Sequence, residues 1–427
     1  MRRSAAVALK CYYITIQSIL STDAFAALPA RLPPLHVCRP ASPTCPLCRL
    51  SPPVFHRCPA RLGHRYHAVG SRPRNVLPAF SGGRSDGRRG HAARSVFLRF
   101  LAHLCAPVFV LLTGISAWLY GDRAGSRAAT AAFLAKRGLF LIVLEIVVVN
   151  FAWTFAFPPS VIYLQVIWVI GLSMLALAAL LWLPRPVVAG VGLVLVAGHN
   201  LLDSVHFAQA HWAHIPWAIL HDRGWIEVSD ALRLRTSYPL LPWIGVITLG
   251  YAAGPWFHAR VQSTVRQRGL LYGGLGVLAA FIVLRAINGY GQAQKWGMQD
   301  DTIHTLMSFL NVTKYPPSLM FLLLTLGLGL VLLALMERAG RAAWIRVLCV
   351  FGAAPMFFYL LHLYVLKALY LACVAIWGLN QGDYFGVSGV PALWIISILL
   401  AAALFVPVRW YGQLKARRRD ITWLKYL

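Results

Sequence analysis

The chain has 427 residues, of which 59% are hydrophobic and 12% are charged, with a mean hydropathy of +0.64 and a net charge of +27. This composition excludes an ordinary soluble globular protein, in which about 25% of the residues are charged. From residue 96 onward, long apolar runs alternate with short basic loops, which predicts a polytopic membrane protein. The runs are continuous rather than alternating, so they are predicted to be helices and not the strands of a barrel.

Residues 1–95 differ in composition from the rest of the chain. They hold 15 of the 40 Lys and Arg residues but only two acids, and 11 of the 25 prolines. No helical or strand period persists along them, so this segment is not expected to fold alone. The stretch 11–28 is the best candidate for a membrane helix or signal sequence, but Gln17 and Asp23 interrupt it.

Three interpretations of residues 1–95 stay open. Cys45 and Cys48 have the spacing of a zinc-binding pair, and further Cys and His residues lie nearby. A disordered basic arm would bind anionic lipid or nucleic acid. The third interpretation is a reading-frame error, because Arg, Pro, Cys, Ala and His with almost no Lys are typical of a GC-rich gene translated in a wrong frame.

Nine apolar runs are long enough to cross a bilayer, which takes roughly 17–25 residues. In chain order the predicted spans are 97–120, 138–157, 160–182, 186–202, 238–257, 270–288, 316–336, 347–378 and 392–408. The eighth is too long for one straight helix, and Gly352 and Pro355 predict a break within it. The predicted fold class is therefore an all-α transmembrane bundle over residues 96–427.

Basic residues cluster in alternate loops and in the C-terminal tail. The clusters begin at Arg123, Arg185, Arg260, Arg338 and Arg409. By the positive-inside rule these loops and the C-terminus face the cytoplasm, although binding of an anionic cofactor on the same side is a second interpretation. The first run then crosses from outside to inside, so an intact homologue is expected to have one more helix before it.

Polar side chains inside predicted spans are costly, so they usually face the bundle interior, where they bind, relay or catalyse. These residues are His103, Glu145, Asn150, Gln165, His199, Asn200, Asp203, His206, Arg285, Asn288, His362 and Lys367. Several lie at the outer ends of the spans, as do Lys314 and Tyr315, and they would line a polar vestibule if those ends converge. Lys314 and Tyr315 are either an interfacial anchor or a cation and phenol aimed at an acceptor.

His199, Asp203 and His206 are spaced four and three residues apart, so on a helix they would share one face. A carboxylate between two imidazoles can orient one of them as a base, and an interfacial hydrogen-bond network is the alternative. His103 and His362 have a similar pair of interpretations, as packed histidines or as residues that carry chemistry.

Several stretches in order along residues 96–427 resemble the bacterial DUF1624 family, which is related to the catalytic domain of heparan-alpha-glucosaminide N-acetyltransferase. They are FLRFLAHLCAPVFVLLTGISAWL at 97–119, KRGLFLIVLEIVVVNF at 136–151, LQVIWVIGLSML at 164–175, GHNLLD at 198–203, YPLLPWIGVITLGYAAG at 238–254, SFLNVTKYPPSLMFLLLTLG at 308–327, FGAAPMFFYLLHLY at 351–364 and the tail LKARRRDITWLKYL.

The resemblance implies an acyltransferase that takes an acyl group from acetyl-CoA in the cytoplasm and passes it to an amino or hydroxyl group of a sugar outside. A histidine would serve as acyl carrier or base. The catalytic candidates are His103, His199, Asp203 and His362. The substrate-binding candidates are Asn200, His206, Lys314 and Tyr315. The candidates for binding CoA phosphates are Arg123, Arg127, Lys136 and Arg137. No metal is expected.

The chain departs from the family pattern ahead of His103. The family's first helix carries Arg-Gly near its start and Asp-His near its outer end, and no apolar helix that bears these two pairs precedes His103 here. If that helix carries the chemistry, the chain as written would be inactive. The expected location is a bacterial inner membrane. The expected partners are lipids, acyl-CoA and a glycan or small-molecule acceptor, without nucleic acid, and a homo-oligomer stays open.

Two other classes of function stay open. One is a non-catalytic transporter or channel for a small polar or lipid-linked solute, and the other is a structural membrane protein. Dependence on CoA distinguishes the acyltransferase from the transporter. A structural protein would tolerate the simultaneous loss of His199, Asp203 and His362.

Overall fold

The computed structural model describes residues 87–340, 342–380, 385–387, 390–418, 420–421 and 424, with side chains from His103 onward except at 390 and 391. The interpretations that concern Cys45, Cys48 and the stretch 11–28 lie outside the described residues. Within them the chain is mostly helical, which confirms the predicted all-α class, and one small sheet is added to it.

The helices follow one another with short connections, except at one end of the bundle. In chain order they are α1 (Gly87–Ala124), α2 (Arg127–Leu144), α3 (Asn150–Thr154), α4 (Val166–Leu180), α5 (Arg185–Gly198), α6 (His214–Leu220), α7 (Leu240–Ala253), α8 (Ser263–Ile287), α9 (Thr302–Leu310), α10 (Leu319–Ala339), α11 (Ala343–Ala353), α12 (Pro355–Trp377) and α13 (Val390–Arg417). A π-helical turn, Glu145–Val149, joins α2 to α3, and 3-10 turns extend α5 over His199–Leu202 and α7 over Gly254–Phe257.

Seven helical segments in the described part of the chain are long and apolar enough to cross a membrane. They are His103–Ala124, Arg185–Leu202, Leu240–Phe257, Ser263–Ile287, Leu319–Ala339, Pro355–Trp377 and Ala392–Arg417. The apolar helices α4 and α11 are shorter, so the number of nine spans stays a prediction. The predicted break in the eighth run is confirmed, because α11 ends at Ala353 and α12 begins at Pro355.

Close helix pairs build the core: α2 with α4, α1 with α7, α5 with α7, and α8 with α10. Small residues permit this approach, as is common between helices in lipid. A Cβ atom at Gly138 would lie 2.7 Å from the carbonyl oxygen of Gly171, and one at Gly171 would lie 2.6 Å from that of Gly138. Any larger residue at either position would therefore force α2 and α4 apart.

A three-stranded sheet, which the sequence analysis did not predict, covers the end of the bundle where α4 and α7 begin. Strand β3 (Leu232–Thr236) lies between β1 (Val161–Leu164), to which it is parallel, and β2 (Trp225–Ser229), to which it is antiparallel. β1 leads directly into α4, and β3 leads into α7. The sheet therefore fixes the starts of two core helices relative to each other.

The bundle has a basic end and a polar end. We define the basic end by the connections 121–127, 181–185, 258–263 and 338–342, which carry many of the basic residues. There Arg127 Nη1 donates to the Trp182 carbonyl at 3.4 Å, and Arg266 of α8 pairs with Glu337 of α10. We define the polar end by the connections 199–239 and 288–318, at the opposite ends of the same helices. This arrangement is consistent with the alternation of basic loops along the sequence.

Arg285 holds the connection 288–318 in place. Its side chain is 2% exposed and donates hydrogen bonds to the carbonyls of Gln294, Ser308, Phe309 and Asn311 at 3.0–3.1 Å. The hydrogen bonds satisfy a guanidinium group that would otherwise be costly to bury. Arg285, which the sequence analysis named among the polar residues inside spans, therefore fixes the connection 288–318.

Candidate active site

The predicted vestibule residues at the C-terminal end of α5 and at the start of α10 do come together. The α5 end contacts the α10 start through two side chains. His199 Nε2 lies 2.8 Å from the Pro317 carbonyl oxygen, and Asn200 Oδ1 accepts a hydrogen bond from the Leu319 amide at 2.8 Å. These contacts join segments more than a hundred residues apart and form the floor of the polar end.

His199 is held by backbone oxygens on both sides of its ring. Its Nδ1 atom lies 3.0 Å from the Leu195 carbonyl oxygen and 3.1 Å from that of Val196, while Nε2 faces Pro317. The side chain is almost fully buried. The hydrogen-bond partners of its ring nitrogens are uncharged backbone carbonyls, which stabilise an imidazolium less than a carboxylate does, so this geometry favours a positioning role for His199. Its catalytic role stays a prediction.

Asp203 and His221 form the central pair of the site. His221 is 2% exposed, and its Nε2 atom lies 3.3 Å from Asp203 Oδ1 and 2.9 Å from the His199 carbonyl oxygen. Asn200 Nδ2 donates to Asp203 Oδ2 at 2.9 Å. The indole of Trp217 stacks on the imidazole with ring centroids 5.2 Å apart. The imidazole is therefore fixed in both position and plane.

The charges of this pair stabilise each other. Burial by itself lowers the pKa of His221, but the Asp203 carboxylate, the His199 carbonyl and the Asp222 carboxylate outweigh it, so the pKa lies above its usual value. Burial alone raises the pKa of Asp203, but His221 and Asn200 outweigh it, so that pKa lies below its usual value. Near neutral pH Asp203 is ionised and His221 readily accepts a proton.

His206 lies at the outer edge of this cluster. Its Nδ1 atom is 3.0 Å from Asp222 Oδ2, and its side chain is exposed. The other oxygen of Asp222 lies 3.4 Å from His221 Nδ1. Asp222 therefore connects an exposed imidazole to the buried one.

The single helical face predicted for His199, Asp203 and His206 is not present. Helix α5 ends at Gly198, a 3-10 turn follows to Leu202, and the chain then leaves the helix axis. Asp203 is paired with His221 instead, and His206 with Asp222. The three residues do share one end of the bundle, but sequence spacing alone gave the wrong partners.

Two tyrosines and two cations form a second part of the site. The hydroxyl oxygens of Tyr238 and Tyr315 are 2.9 Å apart. Lys314 Nζ lies 5.1 Å and Arg223 Cζ 5.3 Å from the centre of the Tyr315 ring. Cation–π contact holds both charges beside the phenols without neutralising them. Lys314 and Tyr315 therefore lie where the sequence predicted a cation and a phenol.

His103 lies at the end of the bundle where α10 begins. Its ring packs edge-on against Phe321, one turn into α10, with centroids 5.6 Å apart. Two residues further along, Cys105 is within electrostatic range of Lys314. The outer part of α1 therefore borders the tyrosine and lysine cluster.

His362 lies in the core, on α12, and not among the vestibule residues described above. It is 1% exposed, and its Nδ1 atom lies 3.2 Å from the Phe358 carbonyl oxygen. Its ring contacts that of Tyr359, with centroids 5.5 Å apart. Within the described residues Nε2 has no hydrogen-bond partner. His362 therefore keeps one ring nitrogen available.

Two of the candidates for binding CoA phosphates, Arg123 and Arg127, lie at the basic end, and their side chains are exposed. Lys136 and Arg137 lie nine and ten residues further along α2, roughly 14–15 Å from Arg127, and the side chain of Lys136 is exposed whereas that of Arg137 is half-buried. Arg185 lies in the connection 181–185, also at the basic end. Helix α2 separates Arg127 from Glu145 by 18 residues, or roughly 27 Å, so Arg123 and Arg127 are far from the opposite end of this helix.

Sequence reasoning gave no individual role to His221, Arg223 or Tyr238. His221-Asp222 is a histidine beside an acid in a long polar loop, and Tyr238-Pro239 repeats the Tyr315-Pro316 pair ahead of another span. Both signals were visible, but neither indicated its spatial partner. No group of three metal-ligating side chains occurs in the part of the chain that the structure describes.

Comparison with known families gives a match over part of the chain. Residues 87–284 match the family described as heparan-alpha-glucosaminide N-acetyltransferase, catalytic. The chain is related to that catalytic domain. The match covers a little under half of the chain and includes His199, Asp203 and His221, whereas Lys314, Tyr315 and His362 lie beyond it. None of the curated proteins compared with the chain matches it.

Proposed function

We propose that the protein is a membrane acyltransferase. It would transfer an acetyl or other acyl group from acyl-CoA, bound at the basic end, to an amino or hydroxyl group of a sugar bound at the polar end. We further propose that the basic end faces the cytoplasm of a bacterium and that the membrane is the inner one. The observation that carries the proposal is the Asp203–His221 pair, which lies within the segment that matches the acetyltransferase family.

His221 would act as the base. In its neutral form it takes the proton of the acceptor, and the two carboxylates beside it, Asp203 and Asp222, stabilise the resulting imidazolium. The acceptor nitrogen or oxygen bonds to the acyl carbon, and the bond from that carbon to sulfur breaks. The leaving thiolate takes the proton from His221, so that an S–H bond forms and the neutral imidazole is restored. His199 and Asn200 would hold the pair in position. His103, which borders the cluster, and His362 in the core remain further catalytic candidates.

The tyrosine and cation cluster would bind the acceptor and stabilise negative charge. A developing oxyanion needs fixed donors that do not reorganise during the reaction. One of the hydroxyls of Tyr238 and Tyr315 donates to the other, and the O–H of the accepting tyrosine would be such a donor. Lys314 and Arg223 add positive charge beside Tyr315. The exposed His206 would contact the incoming acceptor at the edge of the site.

The donor side would use the exposed cations. Arginine forms paired hydrogen bonds with phosphate oxygens. Arg123 and Arg127 would offer two cations at the basic end, and Lys136 and Arg137 would offer two more along α2. The assignment of CoA binding to these residues rests on their positive charge and their exposure. Acyl-CoA is the substrate that supplies the activated acyl group.

The test is acyl transfer by the full-length protein in nanodiscs. Thiol release from acetyl-CoA is measured with and without glucosamine, and a His221→Gln variant is compared with wild type. The expected result is acceptor-dependent thiol release that falls roughly 10²-fold or more in the variant. His304→Gln is the matched control, because it removes an exposed His–Asp pair with Asp301 outside the site and should leave the rate unchanged.

Two outcomes would contradict the proposal. If wild type releases no thiol from acyl-CoA with any amino or hydroxyl sugar, the transporter or structural alternatives replace the enzyme. If His221→Gln and Asp203→Asn both keep the wild-type rate, the polar end is not the catalytic site.

A further inference from the structure

An exposed tryptophan lies at the basic end, in the turn that extends α7. Trp256 is 51% exposed and belongs to the 3-10 turn Gly254–Phe257. Its indole packs on α8 at a glycine, because a Cβ atom at Gly269 would overlap the six-membered ring and would lie 2.8 Å from its Cη2 atom. One part of the indole therefore rests on the helix, and about half of the side chain stays accessible to a ligand.

The loop 254–262, which carries Trp256, is fixed to α1. His258 Nε2 lies 3.3 Å from Asp122 Oδ2, and the His258 ring packs edge-on against Trp118, with centroids 6.1 Å apart. The Arg260 amide donates to His258 Nδ1 at 3.1 Å, so the ring proton is on Nε2, where it faces the carboxylate. Both ring nitrogens therefore have partners, and His258 serves to position the loop.

The same loop is also fixed to α8 and, through it, to α10. Arg266 Nη1 donates to the Val261 carbonyl at 3.5 Å, and Arg266 Nε donates to Glu337 Oε2 at 2.9 Å. Within the loop, the His258 amide donates to the Pro255 carbonyl at 3.0 Å and the Val261 amide to the His258 carbonyl at 3.1 Å. The loop is therefore held in place before any ligand binds, which reduces the entropy that binding costs.

The residues around Trp256 carry positive charge. Residues 254–268 contain three arginines and no Asp or Glu. Arg266 is neutralised by its buried ion pair. Arg260 and Arg268 are exposed, and neither forms an ion pair with a described residue. Arg268 directly precedes Gly269, on which the indole rests, so at least one of these charges lies beside Trp256.

The neighbouring end of α1 adds a further cation. Arg123 directly follows Asp122, whose carboxylate contacts His258 of the loop. The accessible indole therefore has positive charge on the α1 side as well as on the α8 side. This combination suits a planar base that is linked to phosphates, because the base can stack on the ring while the arginines bind phosphate oxygens. A phospholipid headgroup would offer the phosphate but no planar base.

We propose that Trp256 is the platform on which the adenine of the acyl-CoA donor stacks. This inference rests on the proposed function, in which the basic end binds acyl-CoA. The adenine lies on the accessible part of the indole, and Arg123, Arg260 and Arg268 bind the phosphate groups beside it. The pantetheine arm, which carries the thioester, extends from there into the bundle. Trp256 thus contributes to affinity for the nucleotide and touches none of the reacting atoms.

The first experiment measures binding and requires no turnover. Full-length protein in nanodiscs is titrated with radiolabelled CoA, and adenosine 3′,5′-bisphosphate, the nucleotide half of CoA, is added as a competitor. Trp256→Ala should raise the Kd for both ligands roughly tenfold or more, whereas Trp256→Phe, which keeps an aromatic ring, should stay within about threefold of wild type. The Kd for 4′-phosphopantetheine, which lacks the nucleotide, should be the same in all three proteins.

Trp182→Ala is the matched control. Trp182 is also exposed and lies in the connection 181–185 at the basic end, so its loss should leave the Kd for CoA unchanged. An equal loss of affinity in Trp182→Ala and Trp256→Ala would show that both indoles only anchor the protein in the membrane interface, and it would overturn the inference. A Trp256→Ala protein that loses the same affinity for phosphopantetheine as for CoA would also overturn it.

The second experiment measures transfer. Because Trp256 would bind the nucleotide equally in the ground state and the transition state, Trp256→Ala should raise the KM for acetyl-CoA roughly tenfold and keep kcat within about twofold. With the acetyl thioester of phosphopantetheine as donor, wild type and Trp256→Ala should react at the same rate. A lower kcat with an unchanged KM for acetyl-CoA would contradict the assigned role.

The outcomes separate the platform from the proposed function. A Trp256→Ala protein with the wild-type Kd for CoA would overturn only the platform. A wild type that binds no CoA would overturn both, and CoA binding that depends on Trp256 in a protein without transfer would overturn only the enzyme. If Trp256→Ala does not fold, wild type decides the matter: the bisphosphate must displace CoA, and its 8-azido derivative must crosslink to the loop 254–262. Failure of either overturns the inference.

Discussion

The two ends of the bundle use their charged side chains differently. At the polar end, His221, Asp203 and His199 are tied to one another or to backbone oxygens, so that their orientations are fixed. At the basic end, the side chains of Arg123 and Arg127 are exposed. Chemistry at an acceptor needs groups held in place, whereas attraction of a phosphate needs mainly charge. The difference supports the proposal that reaction takes place at the polar end and donor binding at the basic end.

The largest difference between the two ends is expected in how much a substitution there changes the free energy of unfolding. His199→Leu removes the hydrogen bonds between the α5 end and the Pro317 carbonyl, so the free energy of unfolding should fall by about 1–3 kcal/mol. Arg123→Gln changes an exposed side chain and should stay within about 0.5 kcal/mol of wild type. Thermal unfolding of both variants in one detergent measures the difference. Equal stabilities would show that the polar end is no more rigidly built than the basic end.

A second prediction concerns binding at the basic end. Arg123→Gln combined with Arg127→Gln should raise the KM for acyl-CoA roughly tenfold and leave kcat unchanged, because each exposed charge contact contributes up to about 1 kcal/mol. Higher salt should raise the wild-type KM in the same direction. The matched control is Arg338→Gln with Arg346→Gln, which removes two other exposed cations. If both double variants raise the KM equally, overall charge and not a local site attracts the donor.

A smaller effect is expected from pH at the polar end. The pKa of Asp203 is lowered from 3.8, so its contribution to stability is present above pH 3.8 and is lost as pH falls through the folded value. The pKa of His221 is raised from 6.5, so its contribution is present below pH 6.5 and is lost as pH rises through the folded value. The stability difference between wild type and Asp203→Asn should therefore be largest between pH 3.8 and 6.5.

Unfolding midpoints of both proteins, measured at intervals from pH 3 to 9 in the same detergent, check this. A difference that grows steadily above pH 7 would show that the pair does not carry the assigned charges.

The sequence predicted those features of the fold that depend on local chemistry. Apolar runs predicted helices, and Gly352 with Pro355 predicted the break between α11 and α12, because proline lacks the amide that a helix interior needs but fits the first turn, where Pro355 begins α12. The basic loops that alternate along the sequence correspond to the connections at the basic end of the structure. The small sheet was missed, because β2 and β3 are five residues long and lie within a segment interpreted only as a polar loop.

The site was only partly predictable, for a physical reason. The polar residues Asn200, Lys314 and Tyr315 were expected at the outer ends of spans because polar groups avoid the bilayer core. Their partners depend on how helices far apart in the sequence pack. Asp203 pairs with His221 rather than with His206 because α5 ends at Gly198 and the loop folds back. Spacing along a helix cannot predict a contact made after the helix has ended.

Arg285 has a consequence for exchanging parts between homologues. The connection 288–318 carries Lys314 and Tyr315, and one guanidinium group holds it through four carbonyls. Lysine could not replace it, because its three donors radiate from one atom and cannot reach four separate oxygens. A chimera that receives this connection from a relative will therefore place the residues that correspond to Lys314 and Tyr315 correctly only if the new loop keeps carbonyl groups within reach of Arg285. If these residues bind the acceptor, as proposed, one exchangeable segment can change acceptor preference while the rest of the bundle stays constant.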